Sequence, residues 1–588
     1  MCAVRPPEDA TGPWNAAADA VAFVQRLDGS AGAQYRSGIE KTFEGVEEMQ
    51  QTAGLANDPR MSSADVIVAG SGHNGLVAAC YLARGGLDVL VVEAHDTPGG
   101  MTATNPMAPE APDHLINEAS IHASLFRMSP IEAELELTSK FGLRQRVIDP
   151  CHVQLNPDGD ESLGLWRDPM KTAEEMRYFS PRDAKAYIEL ANLIDTAVQI
   201  GLPIAMTNIT KPGMGVILKV LSAAVGKLRY WGPMFSMMTN TFAGLIEETF
   251  EHPMNRAPFA TALPFMDFKS DLSAFAIVYL AVLQRYGVAM FEGGTGAFPK
   301  ALIRCLEASG GRVRTSAPVS ELIVRNGRVT GVKLESGEEL LARKAVLTAF
   351  SPKSVLNHLL PAGTLPDKLA RRAARIPTSN RGIADYKLNI ALKGKVHFTR
   401  HQAWRNKRDG LDLRLPTTQW TTHEQAIAAY DACVRGEVPE MIPGLAQITT
   451  AFDPAMAPPG HDTFWFWGGL VPFNPRIGWD QARDLITERV IKDTAKYLDG
   501  IEELEIARRP LAPPDIEKRF RAIDGSVYHV DPYITRFGAG RPAMGFAGYK
   551  TPVPGLFLSG SGTHPSAGIC GLPGRNAAQT LLAEVRKS

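Results

Sequence analysis

The stretch VIVAGSGHNGLVAACYLARGG, beginning at Val66, constrains this chain more than any other, because three glycines stand at fixed spacing between an apolar run and an alanine-rich one. In Gly70-Ser-Gly72-His-Asn-Gly75 the first glycine permits a tight turn, the second lets backbone approach a pyrophosphate, and the third lets helix and strand pack closely. The flanks DVIVAG, NGLVAACYLARGG and LDVLVVEA read as strand, helix and strand, one βαβ unit. The helix start offers unpaired N–H groups and a partial positive charge, and no Asp or Glu in its first turn repels an anion. Glu93, 23 residues beyond Gly70, stands where a carboxylate accepts hydrogen bonds from a ribose diol. The unit predicts a dinucleotide site. His73 and Asn74 share the loop; His73 touches the cofactor or substrate, caps the helix, or faces solvent.

Such a unit accepts FAD or NAD alike, since both carry ADP, so other segments must decide. Pro98-Gly99-Gly100-Met101-Thr102 is a second place where backbone can approach a ligand leaving the first helix, or an ordinary turn. At the C-terminus, GLFLSGSGTHPSAGICGLPGRNAAQTLLAEV reads as strand, glycine loop and a helix with Pro573 near its start. Its first turns carry no acid before Glu584, and Arg575 sets a cation at the positive end of the dipole, which costs energy without an anion nearby. That anion is a second ligand site or a surface carboxylate to which the Arg reaches back. In a flavoenzyme such a helix end stabilises charge at the flavin N1–C2=O edge. A separate NAD(P)H domain is argued against, because the near matches Gly538-Ala-Gly540-Arg-Pro-Ala543 and Gly560-Ser-Gly562 run into prolines that break the required helix start.

DVIVAGSGHNGLVAACYLARGGLDVLVVEA, the following PGGMTAT, FEGGTGAFPKAL and GLFLSGSGTHPSAGICGLPGRNAA together resemble the phytoene desaturase type of FAD-dependent, amine-oxidase-like oxidoreductases. GHNGL and GSGTHP are similar to motifs of the branch called pyridine nucleotide-disulphide oxidoreductase domain-containing protein 2. The resemblance runs from about Asp65 to the C-terminus, strong at both ends and diffuse between. It implies an α/β fold in which a Rossmann-like FAD-binding domain is interleaved with a mixed sheet-plus-helix substrate domain. It implies FAD lying extended, with Gly70, Gly72 and Gly75 at the pyrophosphate, His73 and Asn74 among the cofactor-binding residues, Glu93 at the ribose and Val319 near the adenine. Gly99, Gly100 and Thr102 would lie towards the flavin, over which Gly560, Ser561, Gly571, Leu572, Pro573 and Asn576 would close. SAGICG departs from the more glycine-rich run usual in the family, and residues 1–62 have no counterpart in it.

The boundaries expected are a helical appendage over 1–62, FAD-binding parts over 63–150, 286–360 and 536–588, a helical cap over 151–285 and a substrate domain over 361–535. In the appendage Ile39, Phe43, Val46 and Met49 recur at helical spacing, a face to be covered by the body of the protein or by a second subunit, as in a homodimer. Asn326-Gly327 predicts a hairpin turn. A formal charge of -1 gives no reason to expect nucleic acid. Six scattered cysteines without a Cys-x-x-Cys pair offer neither a metal site nor a redox dithiol, and point to a reduced, cytoplasmic setting. No unbroken apolar run approaches a bilayer span, so the chain reads as soluble or peripheral. Met214 to Phe250, rich in Met, aromatic and small residues, is core, an apolar tunnel wall or a membrane-contacting surface.

The resemblance implies desaturation, dehydrogenation or isomerisation of an apolar isoprenoid or alicyclic molecule, with electrons passing to oxygen or a quinone. The rivals are an amine oxidase, for which no aromatic cage is legible, and a flavin-binding interaction protein. His564, in the loop expected at the flavin, is the candidate catalytic base or else orders the loop before Pro565. Cys570 reads as a buried thiol or a covalent flavin attachment point.

Overall fold

The computed structural model describes residues 61–123, 125–260, 268–379 and 382–587, so the helix read at Ile39 to Met49 lies outside them. Strand β1 (Ser63–Ala69) is buried over its last four residues and β2 (Val89–Val92) throughout. Strands covered on both faces need no polar alternation, which is why VIVA and VLVV are unbroken apolar runs. Between them, helix α1 (His73–Arg84) buries Leu76, Val77 and Leu82, each worth roughly 1.5–3 kcal/mol. The two strands are parallel, Val66 opposite Val89 and Ala69 opposite Val92.

Strands β3 (Thr104–Ala108) and β4 (Ala111–Asn117) form a hairpin, β5 (Gln145–Ile148) pairs with β8 (Val288–Phe291), and β6 (His152–Leu155) with β7 (Ser162–Leu165). The first sheet continues with β9 (Arg312–Arg314), β10 (Val319–Arg325), β11 (Arg328–Leu334) and β12 (Glu339–Thr348), in the order β10-β11-β12-β1-β2-β9. At the β10–β11 turn Asn326 and Gly327 take φ of 52° and 71°, as a two-residue hairpin requires. The second sheet joins β13 (Ile383–Leu392), β14 (Thr417–Gln419), β15 (Gly444–Ile448), β16 (Asp462–Pro472) and β17 (Glu505–Leu511) to the earlier pair, in the order β17-β13-β16-β15-β14-β6-β7. The chain then returns: β18 (Leu556–Leu558) lies parallel to β12. The result is a mixed α/β fold in which one sheet draws on three separated stretches of chain and the other fills the intervals.

Helix α2 (Pro181–Ala205) starts where Ser180 accepts a hydrogen bond from the Asp183 N–H and Pro181 occupies the first turn. It buries Tyr187, Leu190, Ala191, Ile194 and Val198 in a helical core. By length and composition it alone, among the described residues, is long and apolar enough to cross a membrane. Counting unbroken apolar runs overlooked it, because Asp183, Lys185, Glu189 and Asp195 interrupt the run. It is followed by α3 (Met214–Val225), which buries none of its residues, and α4 (Trp231–Thr239). Helix α5 (Ala297–Ala308) and the C-terminal α6 (Leu572–Val585) both pack on α1.

Candidate active site

The turn out of β1 explains its three glycines one by one. Gly70 sits at φ +98°, a conformation L side chains rarely adopt. A Cβ on Gly75 would stand 2.1 Å from the Gly70 carbonyl oxygen, so helix and turn touch only because that atom is missing. A Cβ on Gly72 would meet nothing within 4 Å, because Gly72 borders a cavity of about 480 Å³. Asn74, Glu93, Gly99, Gly100 and Val319 line the same cavity.

Glu93 is buried and held in place. Its Oε2 accepts hydrogen bonds from the Ser71 N–H (2.9 Å) and hydroxyl (2.5 Å), and its Oε1 from the His95 N–H (3.0 Å). Oε1 thus keeps a lone pair for a ligand, while Oε2 is fully engaged by Ser71. Asn74 Oδ1 is buried without a protein partner beside the helix N-terminus. An acid-free helix end, an open Cβ position and a fixed carboxylate fit an adenine dinucleotide. Arg521 and Glu335, ion-paired at 2.7 Å, also border this cavity and carry no local motif that would have found them.

A second cavity, of about 540 Å³, meets the first at His73, Met101 and Ser561, which line both. Its walls come from the C-terminal half of α2 (Ala197 to Ala205), from Leu445 on β15 and Trp467 on β16, from Ile121 to His122, and from the loop His564 to Cys570. Thr102 lines it as well. Among the described residues no Asp, Glu, Lys or Arg lines this cavity. Its ionisable side chains are histidines, tyrosines and one cysteine, and burial sets their state. Loss of solvation brings His73 and His152 down to about 4 and, with His152 nearby, His122 to about 3. His564 is lowered too, mainly by burial, and its Nε2 hydrogen-bonds the Ile204 carbonyl at 3.0 Å. The lone pair of a neutral His564 is thereby directed to Nδ1, which is buried and has no protein partner. Burial pushes the Cys570 thiol up to about 12, so it is a protonated, unreactive group.

One layer behind the wall, Trp467 Nε1 and the Tyr528 hydroxyl donate to Asp385 Oδ1 at 3.1 and 3.2 Å, and burial lifts that carboxyl to about 7. Two residues along β13, Lys387 Nζ donates to the Asn117 and Ser120 carbonyls at 2.5 and 2.6 Å, and burial lowers it to about 7. Neither was singled out from sequence, although two charges two residues apart inside the strand IADYKLNIAL are a legible signal.

His73 is buried against both cavities, which removes the solvent-facing alternative, and α1 starts at Gly72 without any side-chain cap. Arg575 corrects the expectation of a second anion site. Its Nε and Nη2 each donate to Glu134 at 2.7 Å, so the surface carboxylate answers the dipole argument. Gly560, Gly571, Leu572, Pro573 and Asn576 border neither cavity. Asn576 Nδ2 donates to the Ala205 carbonyl and the Tyr549 hydroxyl, and a Cβ on Gly574 would stand 2.1 Å from the Asn74 carbonyl oxygen. The start of α6 thus packs directly on the start of α1, and it is the preceding residues, Gly568 to Cys570, that reach the second cavity.

The profile described as flavin containing amine oxidoreductase matches residues 75–582. The chain belongs to this family. Among the relatives of this flavin containing amine oxidoreductase, the mouse protein named pyridine nucleotide-disulfide oxidoreductase domain-containing protein 2 is 28% identical, over 89% of this chain and 94% of its own. A lycopene-forming phytoene desaturase of Pseudescherichia vulneris is 23% identical, over 86% and 96%. In structure the chain is similar to a putrescine oxidase variant, with a TM-score of 0.55 and 17% identity over 90% of this chain and 99% of that one. The protein is an FAD-dependent oxidoreductase with the amine-oxidase-like fold. The five described cysteines are buried and none of them forms a disulfide.

Proposed function

We propose that this oxidoreductase acts on a neutral apolar molecule of the isoprenoid or alicyclic class, either dehydrogenating or desaturating it and passing the electrons to oxygen or a quinone, or isomerising it with no net transfer of electrons. The observation that carries the reading is the second cavity: about 540 Å³, sharing the wall residues His73, Met101 and Ser561 with the dinucleotide cavity and without a charged side chain among its described lining residues. An ammonium or carboxylate entering it would lose hydration and find no counter-charge. The aromatics Tyr279, Trp467, Tyr528 and Phe537 in its wall favour, as a second reading, an amine substrate bound uncharged.

In this reading Gly70 and Gly72 hold the pyrophosphate by backbone, Glu93 the ribose diol, and Val319 packs near the adenine, while Gly99, Gly100, Met101 and Thr102 lead towards the flavin ring. FAD, when bound, supplies the hydride acceptor. His564 keeps its Nδ1 lone pair free by donating Nε2–H to Ile204, the state a proton acceptor needs. The lowered pKa makes it a weak base, which suits a proton lost only as hydride departs. Hydrophobic walls on α2 exclude water.

Exposed apolar side chains support peripheral contact with an anionic lipid surface. Leu218, Leu221, Val225, Leu228 and Phe235 are all more than half exposed. From residue 196 to 246 the chain has no Asp or Glu but carries Lys211, Lys219, Lys227 and Arg229, the charge complement of an acidic bilayer. The test of function is anaerobic mixing of holoenzyme with neutral isoprenoids, alicyclic alkenes and amines. Bleaching of the oxidised flavin by the first two classes alone supports the reading; bleaching by amines alone replaces it with the amine oxidase.

A further inference from the structure

The walls of the second cavity are apolar, and several of its polar side chains are already bonded within the protein. Thr102 Oγ1 donates to the Gly99 carbonyl at 2.6 Å, the Ser120 hydroxyl is paired with Thr295 at 2.7 Å, and Trp467 and Tyr528 are committed to Asp385. His73 Nε2 and His564 Nδ1 are not, and neither are two neighbours on other elements. Both ring nitrogens of His122 and Nδ1 of His152 are buried without a protein partner, in side chains that are 5% and 2% exposed. Their ring centroids lie 6.1 Å apart at 56°, close enough for one oxygen to reach a nitrogen on each. His122 also borders a void of about 10 Å³ beside Asn117, Thr295 and Asp453, the room of one water, so one of its nitrogens can be served there and the other only from the cavity.

The pair has a definite place. His152 opens β6 in the second sheet, His122 follows the β3–β4 hairpin, and neither lines the dinucleotide cavity, whereas His73 does. The hydrogen-bonding chemistry is equally definite. Buried beside each other, the two imidazoles stay neutral across the physiological range, so each offers one N–H and one lone pair. A neutral ligand group that both accepts and donates satisfies such a pair, whereas a hydrocarbon leaves buried polar nitrogens unmet.

We infer that His122 and His152 form an anchoring subsite for a hydroxyl group, so that the substrate is an apolar molecule carrying one neutral alcohol held away from the carbon that reacts at the cofactor. The inference rests on the apolar-substrate reading above and narrows it. Specificity then follows from unpaired groups rather than from cavity volume, because a site built to bond a hydroxyl penalises the analogue that lacks it.

The experiment uses the holoenzyme with farnesol and geraniol, each against the hydrocarbon of the same skeleton, and reads binding from the perturbation of the flavin spectrum. In the native protein each alcohol binds at least tenfold tighter than its hydrocarbon. In His122→Phe and in His152→Phe the preference falls to about twofold or less, with the hydrocarbon's affinity held or improved. His122→Asn, which restores a donor and an acceptor, recovers part of it. Unchanged flavin content and unfolding temperature certify that each variant is folded, and His122→Leu or His152→Leu replaces a Phe variant that is not. Equal binding of alcohol and hydrocarbon in the native protein, or a preference that survives both Phe variants, overturns this inference and leaves the apolar-substrate reading standing. If no member of any pair perturbs the flavin while amines do, the apolar-substrate reading falls and the anchoring subsite with it.

Discussion

Gly72→Ala and Gly75→Ala add the same methyl group three residues apart, and their consequences should be opposite. At Gly75 the new carbon would lie 2.1 Å from the Gly70 oxygen and 2.9 Å from Ala349 Cβ. Neither neighbour is a flexible chain end, so strand and helix must separate, at a cost of about 1–3 kcal/mol typical of overpacking. At Gly72 the carbon meets no protein atom within 4 Å and the backbone, at φ -57°, accepts alanine. The apoprotein should therefore lose nothing. The methyl projects instead into the dinucleotide cavity, where displacing one charge-assisted backbone bond to phosphate costs about 1.5–3 kcal/mol, roughly 10- to 150-fold in Kd. Thermal unfolding of flavin-stripped protein and FAD titration by fluorescence quenching separate the two effects. If Gly72→Ala binds FAD as tightly as the native protein, the cofactor does not pass where the cavity runs, and the reasoning from the glycine loop fails.

Replacing His564 by Ala should slow anaerobic flavin reduction by about 10²–10⁴-fold at unchanged flavin content; an unaltered rate would leave His564 only the ordering of its loop. Arg575→Ala should destabilise the fold by about 1 kcal/mol through loss of the Glu134 pair while FAD affinity stays within about twofold, as urea unfolding and titration would register. Stability should fall as pH drops from about 6.5 towards 4, because His73, His122, His152 and His529 have folded values lowered to about 3–4 and stay neutral while their unfolded counterparts protonate. Asp385, raised to about 7, works in the opposite sense over that window, its stabilisation being lost as pH rises from about 4 through 7. Asp385→Asn should thus steepen the acid-side slope by about one proton, about 1.4 kcal/mol per pH unit, in denaturant titrations at stepped pH. Flotation with vesicles containing phosphatidylglycerol should recover the native protein but not a Leu218→Glu, Leu221→Glu double variant; equal recovery, or an exposed face covered by a second copy in solution, would remove the lipid contact.

What the sequence disclosed was local. The glycine loop was readable because each glycine answers one steric demand within a few residues: the φ of Gly70, the open face of Gly72, the 2.1 Å approach at Gly75. Asn326-Gly327 was readable for the same reason. What escaped was brought together across the chain. Arg575 finds Glu134 across 441 positions, and no pattern near either marks the other. The helix at Leu572 was legible as a helix, but not that its first turn faces α1 and Ala205 instead of the cavity, since a cap motif describes where a helix begins and not what lies opposite. His122 and His152 are single histidines on different elements with no ligand spacing, and only the second sheet makes them a pair. Asp385 and Lys387 differ: two charges in one buried strand already demanded partners.

The account rests on the two cavities being one site, occupied by a single extended cofactor and a neutral substrate. A crystal structure of the holoenzyme with a bound terpenoid tests this most directly. FAD running from Glu93 past Gly72 and His73, with its ring at the mouth of the cavity that holds the terpenoid, is the expected result. FAD elsewhere, or a terpenoid bound outside the cavity that His564 borders, would contradict it.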